Sequence, residues 1–298
     1  MKPQDLGLLF VLAAFWGASF IFIGISAPVL GPFVLVFVRT SLAALILFAY
    51  ARATGQPLTL RAQGWKFLLL GLINVAIPFA LISTAELHIS SAMASILNAT
   101  TPLWGGLLGV VWQKEPLTPL RIIGMVLGMA GVAMVVGLEG EAVSTWFILG
   151  VIMMLTASFF YALGTIYGKT RFKGTPPLTM AIGQVGSAAL IMLPFAATNP
   201  PTLPITPQVA VAMLLLSVVS TAIAYLIYFR LVASAGATNT MTVTFLAPFF
   251  SILWAWLFLG ETIGILQFVG LLVILSGLFL VTGFRLSFLM RKPAPTQL

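Results

Sequence analysis

The chain has 298 residues, 60% of them apolar and 7% charged, with a mean hydropathy of +1.14. A water-facing surface of ordinary size draws on about 25% charged residues, so this composition excludes a soluble globular domain. The net charge of +8 does not point to nucleic acid, because the basic residues sit singly at the ends of apolar runs, and the lack of cysteine excludes disulfides, thiolate metal sites and thiol redox chemistry.

Apolar runs of about twenty residues, each long enough to cross ~30 Å of hydrocarbon as a helix, recur along the whole chain. They predict ten spans, at 6–27, 32–51, 64–86, 90–112, 118–137, 146–167, 177–197, 208–231, 236–258 and 263–284. The first run follows Met-Lys-Pro-Gln-Asp directly. It is longer than a signal h-region and lacks a cleavage site, so it reads as a span. In lipid every amide needs an internal partner, which predicts helix, and the ~10-residue alternation of barrel strands is absent. The longest connections, around 54–64 and 199–207, gather Pro, Gly, Thr and Asn as turns do. With the N-terminus in the cytoplasm, Lys2, Arg52, Arg61, Lys66, Lys114, Arg121, Lys169, Arg171, Lys173, Arg230, Arg285, Arg291 and Lys292 all fall on the inner side. Glu86, Glu139, Glu141 and Glu261 fall on the outer side, and Arg39 is the only formal charge well inside a span. Both termini are therefore expected inside.

A shift of 146 residues lays one half of the chain over the other. Leu68-Leu69-Leu70 falls on Leu214-Leu215-Leu216, Pro102 on Pro248, Glu115 on Glu261, and Gly124 and Gly131 on Gly270 and Gly277. Near the start of each half the shift is 145, which sets Arg39 over Gln184. Five spans per half is an odd number, so the second half must enter from the opposite side. The expected fold is an all-α membrane protein of ten transmembrane helices in two inverted five-helix repeats. Residues 1–140 form the first, 144–288 the second, and 289–298 a cytoplasmic tail. Such repeats give two pseudo-symmetric states with a solute site where the halves meet.

A charge inside a span is costly unless paired. Arg39, ~11 Å from the outer end of span 2, has two readings: an anchor for a solute carboxylate, or a structural arginine bonded to helix-end carbonyls or to Glu86. Ser91, Ser95, Asn98, Pro102 and Gly105 follow a 4-3-4-3 spacing along one helical stripe, with Thr244 and Pro248 as repeat partners of Asn98 and Pro102. Asn74 and Pro78 line up on span 3, opposite Ser220 and Ala224 on span 8. These polar groups should face the bundle interior, as cavity lining or as glue between helices. Pro78, Pro102 and Pro248 each free a backbone carbonyl, and serve as hinges or as static kinks. Trp16 and Ser19 in span 1, with Phe79, Tyr161, Tyr225 and Phe245, supply aromatic and polar walls suited to an aromatic or aliphatic amino acid. Glu115 and Glu261 each precede a helix, where a carboxylate suits the positive dipole end. The glycine pairs Gly105/Gly109 and Gly124/Gly128 allow close helix approach, within the chain or in a dimer.

His88 is the single histidine. It cannot by itself build a metal site or a Ser–His relay, so neither an enzyme, a metal nor another cofactor is expected. No span carries a carboxylate near its middle, which predicts gradient-driven movement of solute without a dedicated ion site.

Phe15-Trp16-Gly17-Ala18-Ser19, Val38-Arg39-Thr40-Ser41-Leu42, Asn98 to Trp104 with Glu115, and Ala247-Pro248 with Gly260-Glu261-Thr262 support a resemblance. The chain resembles the drug/metabolite transporter superfamily in its ten-helix EamA branch, and within it the YddG-type amino-acid exporters. That resemblance implies a monomeric carrier in the bacterial inner membrane, exporting small metabolites, with aromatic and other neutral amino acids foremost. A multidrug exporter and a passive channel are the alternatives, and the partners expected are the solute and the lipid bilayer.

Overall fold

The computed structural model describes residues 2–60, 63–114, 116–136, 144–201, 203–236 and 240–282. Glu115, Glu139, Glu141, Arg61, Arg285, Arg291, Lys292 and the tail 289–298 lie outside them. Seven described helices are long and apolar enough to cross a membrane: α1 (Pro3–Ala53), α2 (Gly64–Ala85), α3 (Ser91–Trp112), α4 (Pro119–Val136), α5 (Thr145–Arg171), α6 (Pro177–Thr198) and α7 (Pro207–Ala235). Two shorter apolar helices follow, α8 (Val243–Leu259) and α9 (Ile265–Val281).

The first two expected spans run together as α1, which holds 51 residues with Pro28 and Pro32 inside it. Two helices meet there at Gly31, whose φ of 72° lies in the left-handed region where a side chain is strained. Elsewhere the polar residues that open helices do so by capping. The hydroxyls of Ser90, Ser144 and Thr206 accept the N–H of Met93, Phe147 and Val209, satisfying amides that have no partner in the first turn.

Helix α1 runs through the bundle, touching α2, α3, α6, α7 and α8. Its fully buried Leu9, Leu12, Ile23, Leu35 and Leu47 show that both of its legs are interior. Helices α4 and α9 pack chiefly on each other, with α3 beside them. A Cβ on Gly124 would meet the carbonyl of Gly277, and one on Gly131 the carbonyl of Gly270. The register ascends along α4 while it descends along α9, so the two helices are antiparallel and touch at backbone distance. Gly124 and Gly128 are thus used within the chain, the latter against Leu103, while Gly105 meets nothing within 4 Å.

Regular helix gives way to a π-helical stretch at Leu72–Ala76 in α2, at Leu215–Ile223 in α7 and at Ala255–Leu259 in α8. Each extra residue per turn widens the helix, and such bulges cluster at functional sites. The first two coincide under the 146-residue shift, which carries 72–76 onto 218–222.

Candidate functional site

Arg39 is buried in the middle of the bundle. Its Nε donates to Thr221 Oγ1 at 2.9 Å, on the π-helical stretch of α7, and its guanidinium lies 3.8 Å from the centroid of the Phe79 ring on α2. A guanidinium over an aromatic face is attracted by the ring quadrupole, and more strongly away from water. Phe79 in turn meets Tyr161 of α5 edge-on, with centroids 6.3 Å apart. The positive charge also reaches the phenols of Tyr161 and Tyr225. Of the two readings for Arg39, the partner among the described residues is thus a hydroxyl and a ring rather than helix-end carbonyls or Glu86.

A second polar contact sits beside the first. Asn74 Nδ2, on the π-helical stretch of α2, donates to Gln184 Oε1 of α6 at 2.8 Å, and Gln184 Nε2 donates to the Tyr225 hydroxyl at 3.4 Å. Arg39 and Gln184 are repeat equivalents, as are Asn74 and Ser220, the neighbour of Thr221. Each half therefore sends a polar side chain from its second helical leg onto the widened helix of the other half.

The structure brings together Arg39, Asn74, Phe79, Tyr161 and Tyr225, all sequence candidates, and adds Thr221 and Gln184. Gln184 carried a signal in the sequence, as the residue laid over Arg39. Thr221 had none, since a threonine in an apolar helix is common. Two further candidates hold unused polar atoms: Asn98 Oδ1 and Ser220 Oγ are buried and make no hydrogen bond. Such orphans are costly unless a ligand or water visits them.

The other candidates are turned elsewhere. Ser19, Ser95 and Thr244 donate to carbonyls three residues back, of Trp16, Ala92 and Met241. Trp16 packs against Tyr228, with centroids 5.7 Å apart. Phe245 lines a cleft of about 570 Å³ between α8 and α9 with Leu272, Leu275, Ser276, Phe279 and Leu280, an almost wholly apolar wall.

The prolines differ in setting. Pro78 is buried at the start of the regular helix that follows the π-helical stretch of α2. Pro102 follows a turn at Ala99–Thr100, and the Thr101 hydroxyl donates to the Asn98 carbonyl at 2.8 Å. Pro248 is buried inside continuous helix.

At one end of the bundle Glu86 is 8% exposed, just beyond the last residue of α2. Ser91 Oγ lies 2.8 Å from Glu86 Oε2. Glu261 caps, but the helix it caps is α3: its oxygens accept the N–H of Ser91 at 3.0 Å and of Ala92 at 2.9 Å. His88 stacks on Trp146 at 5.0 Å. No group of three metal-ligating side chains occurs among the described residues.

Comparison with known proteins bears on what such a bundle does. The sequence profile described as the EamA-like transporter family matches twice, over residues 6–137 and 148–283. An uncharacterized transporter of Archaeoglobus fulgidus is 28% identical over 93% of this chain and 96% of its own length. The uncharacterized transporter YvbV of Bacillus subtilis is 26% identical over 94% and 92%, and the uncharacterized inner membrane transporter YedA of Escherichia coli 25% over 93% and 90%. A solved crystal structure, 16% identical, superposes with a TM-score of 0.68 over 95% of this chain and 97% of that one, a likeness of fold.

Proposed function

The chain belongs to the EamA-like transporter family, a membrane transporter rather than an enzyme, and from that premise we propose that it exports small metabolites, neutral and aromatic amino acids foremost, by alternating access. The observation that carries the reading is the mid-bundle cluster. Arg39 uses Nε alone for hydrogen bonding among the described residues, which leaves the two-pronged end of the guanidinium for a carboxylate. Phe79, Tyr161 and Tyr225 supply aromatic surface for a side chain, and the orphaned Asn98 Oδ1 and Ser220 Oγ are acceptors suited to an ammonium group.

The proposed frame has ten spans, with α1 divided at Gly31, in two inverted halves at 1–140 and 144–288. The glycine contacts support it. Under the repeat, Gly124 against Gly277 becomes Gly270 against Gly131, so the contact maps onto its own counterpart. An operation that exchanges two antiparallel helices has its axis perpendicular to them, in the plane of the membrane. The basic residues on the inner connections favour cytoplasmic termini, in a monomer of the bacterial inner membrane.

Counterflow in proteoliposomes tests the substrate. With one unlabelled amino acid inside and a labelled trace outside, accumulation should occur with aromatic and neutral amino acids and fall at least tenfold in Arg39→Ala. Accumulation with none of a broad panel overturns amino-acid export.

A further inference from the structure

Ser91 Oγ has one hydrogen and two acceptors within reach, Glu86 Oε2 at 2.8 Å and the Phe20 carbonyl of α1 at 3.2 Å. If Glu86 is ionised, the hydroxyl can satisfy only one of them. If Glu86 is protonated, its O–H donates to Ser91 Oγ, and Ser91 donates to Phe20, so all three groups are satisfied. The other carboxyl oxygen, Oε1, is buried and makes no hydrogen bond, a position far cheaper for a neutral acid than for an anion.

The surroundings point the same way. Glu261, from the α8–α9 connection, brings a second carboxylate to the start of α3 and takes the two backbone N–H groups an ionised Glu86 would otherwise seek. From α1, Gly24 closes over the Glu86 carboxyl and Ser91, leaving no room for a Cβ. Among the described residues, the charged groups whose field reaches Glu86 are Glu261 and, opposing it, Arg39. Burial, with Glu261 adding to it against Ser91 and Arg39, holds the carboxyl well above the usual carboxylate range.

We propose that Glu86 is a proton-binding site: it is protonated in the conformation described here, and loss of the proton to entering water separates α3 and the α8–α9 connection and opens this end of the bundle. On deprotonation Ser91 turns its hydrogen from Phe20 to the new carboxylate. Two carboxylates then crowd one helix start, and hydration of Glu86 becomes the favourable outcome. Export would thereby be linked to proton movement by a carboxyl group at the helix end, where the sequence predicted no dedicated ion site. The inference rests on the reading that the bundle alternates between two open ends.

The chain has no cysteine, so a single pair introduced at exposed Leu87, in the connection leading into α3, and exposed Ile265, at the start of α9, can carry spin labels without background. Pulsed electron resonance on the reconstituted protein should give a short distance at low pH and a longer one as pH rises. Glu86→Gln should hold the short distance throughout. Glu86→Asp should keep a pH response, and Glu261→Gln should shift the midpoint to lower pH. A distance independent of pH in the parent, or Glu86→Gln titrating like it, overturns the proposal. Should Glu86→Gln not fold, infrared titration of the parent decides: a protonated carboxyl band must persist at neutral pH, and its absence overturns the site. Neither measurement uses a transported solute, so a silent counterflow assay would remove the amino-acid reading and leave this one standing.

Discussion

Pro102 and Pro248 stand 146 residues apart, at equivalent places in the two halves, yet their helices are built differently. In α3 the helix is interrupted at Ala99–Thr100, and Thr101, between that turn and the proline, donates its hydroxyl to the Asn98 carbonyl. The corresponding turn lies one helical turn earlier, at Met241–Thr242 just before α8, and the proline sits within regular helix, with no side-chain donor among the described residues on the Thr244 carbonyl. A π-helical stretch then follows at Ala255–Leu259, where α3 stays regular. Helices α4 and α9 behave in the opposite way, meeting as equals through reciprocal glycine pairs. One part of the molecule thus respects the repeat and another departs from it. A bundle of two related halves is held in a single conformation only if some equivalent elements adopt different shapes. Under the proposed alternating access, the helices that depart, α3 and α8, are the ones expected to exchange shapes.

The largest effects should come from the symmetric seam. Gly124→Leu and Gly270→Leu each drive a side chain into the backbone or side chains of the facing helix, where overpacking costs about 3 kcal/mol or more. If the seam is a true pseudo-dyad, the two should lower the melting temperature of the detergent-solubilised protein equally, while Gly105→Ala changes nothing. A large drop for one and none for the other would break the equivalence.

Next come the reciprocal polar contacts. Arg39→Ala loses a charged hydrogen bond and a ring contact away from water, on the order of 3 kcal/mol, and should reduce flux at least tenfold. Gln184→Ala loses a neutral amide contact, about 1 kcal/mol, and should reduce flux only a few-fold. Equal losses would mean that the two contacts do one structural job, and that Arg39 is no anchor for solute.

The helical runs and the internal repeat were legible in the sequence, because lipid forces apolar composition and internal hydrogen bonding on every span. The repeat even pointed at Gln184. Two things were not legible. Gly31 between Pro28 and Pro32 lets helical character persist almost through a kink that composition marks as a plain gap. Glu86 read only as an outer-side residue and a possible partner of Arg39, because sequence position near a span end carries no information about what folds over it. Gly24, Ser91 and Glu261, from three other parts of the chain, close around it. The polar stripe on α3 divides in the structure for a related reason: spacing sets the face a residue shares, but Ser95 satisfies its hydroxyl on its own helix while Asn98 Oδ1 finds no partner.

The smallest effects, and the sharpest test of the asymmetry, should come from the prolines themselves. Pro102 stands in the first turn of a helix, where its missing N–H is no loss and its fixed φ suits the start. Pro102→Ala should change flux less than about twofold, and Thr101→Val, which leaves the Asn98 carbonyl without its hydroxyl partner, should cost about 1 kcal/mol. Pro248 interrupts the hydrogen-bond ladder of a continuous helix, so Pro248→Ala restores a bond and stiffens α8. That variant should melt no lower than the parent yet carry solute several-fold more slowly, because the helix that must change shape has been fixed in one. If instead Pro102→Ala slows flux and Pro248→Ala does not, then of the two helices that exchange shapes it is α3, and not α8, whose change limits the rate.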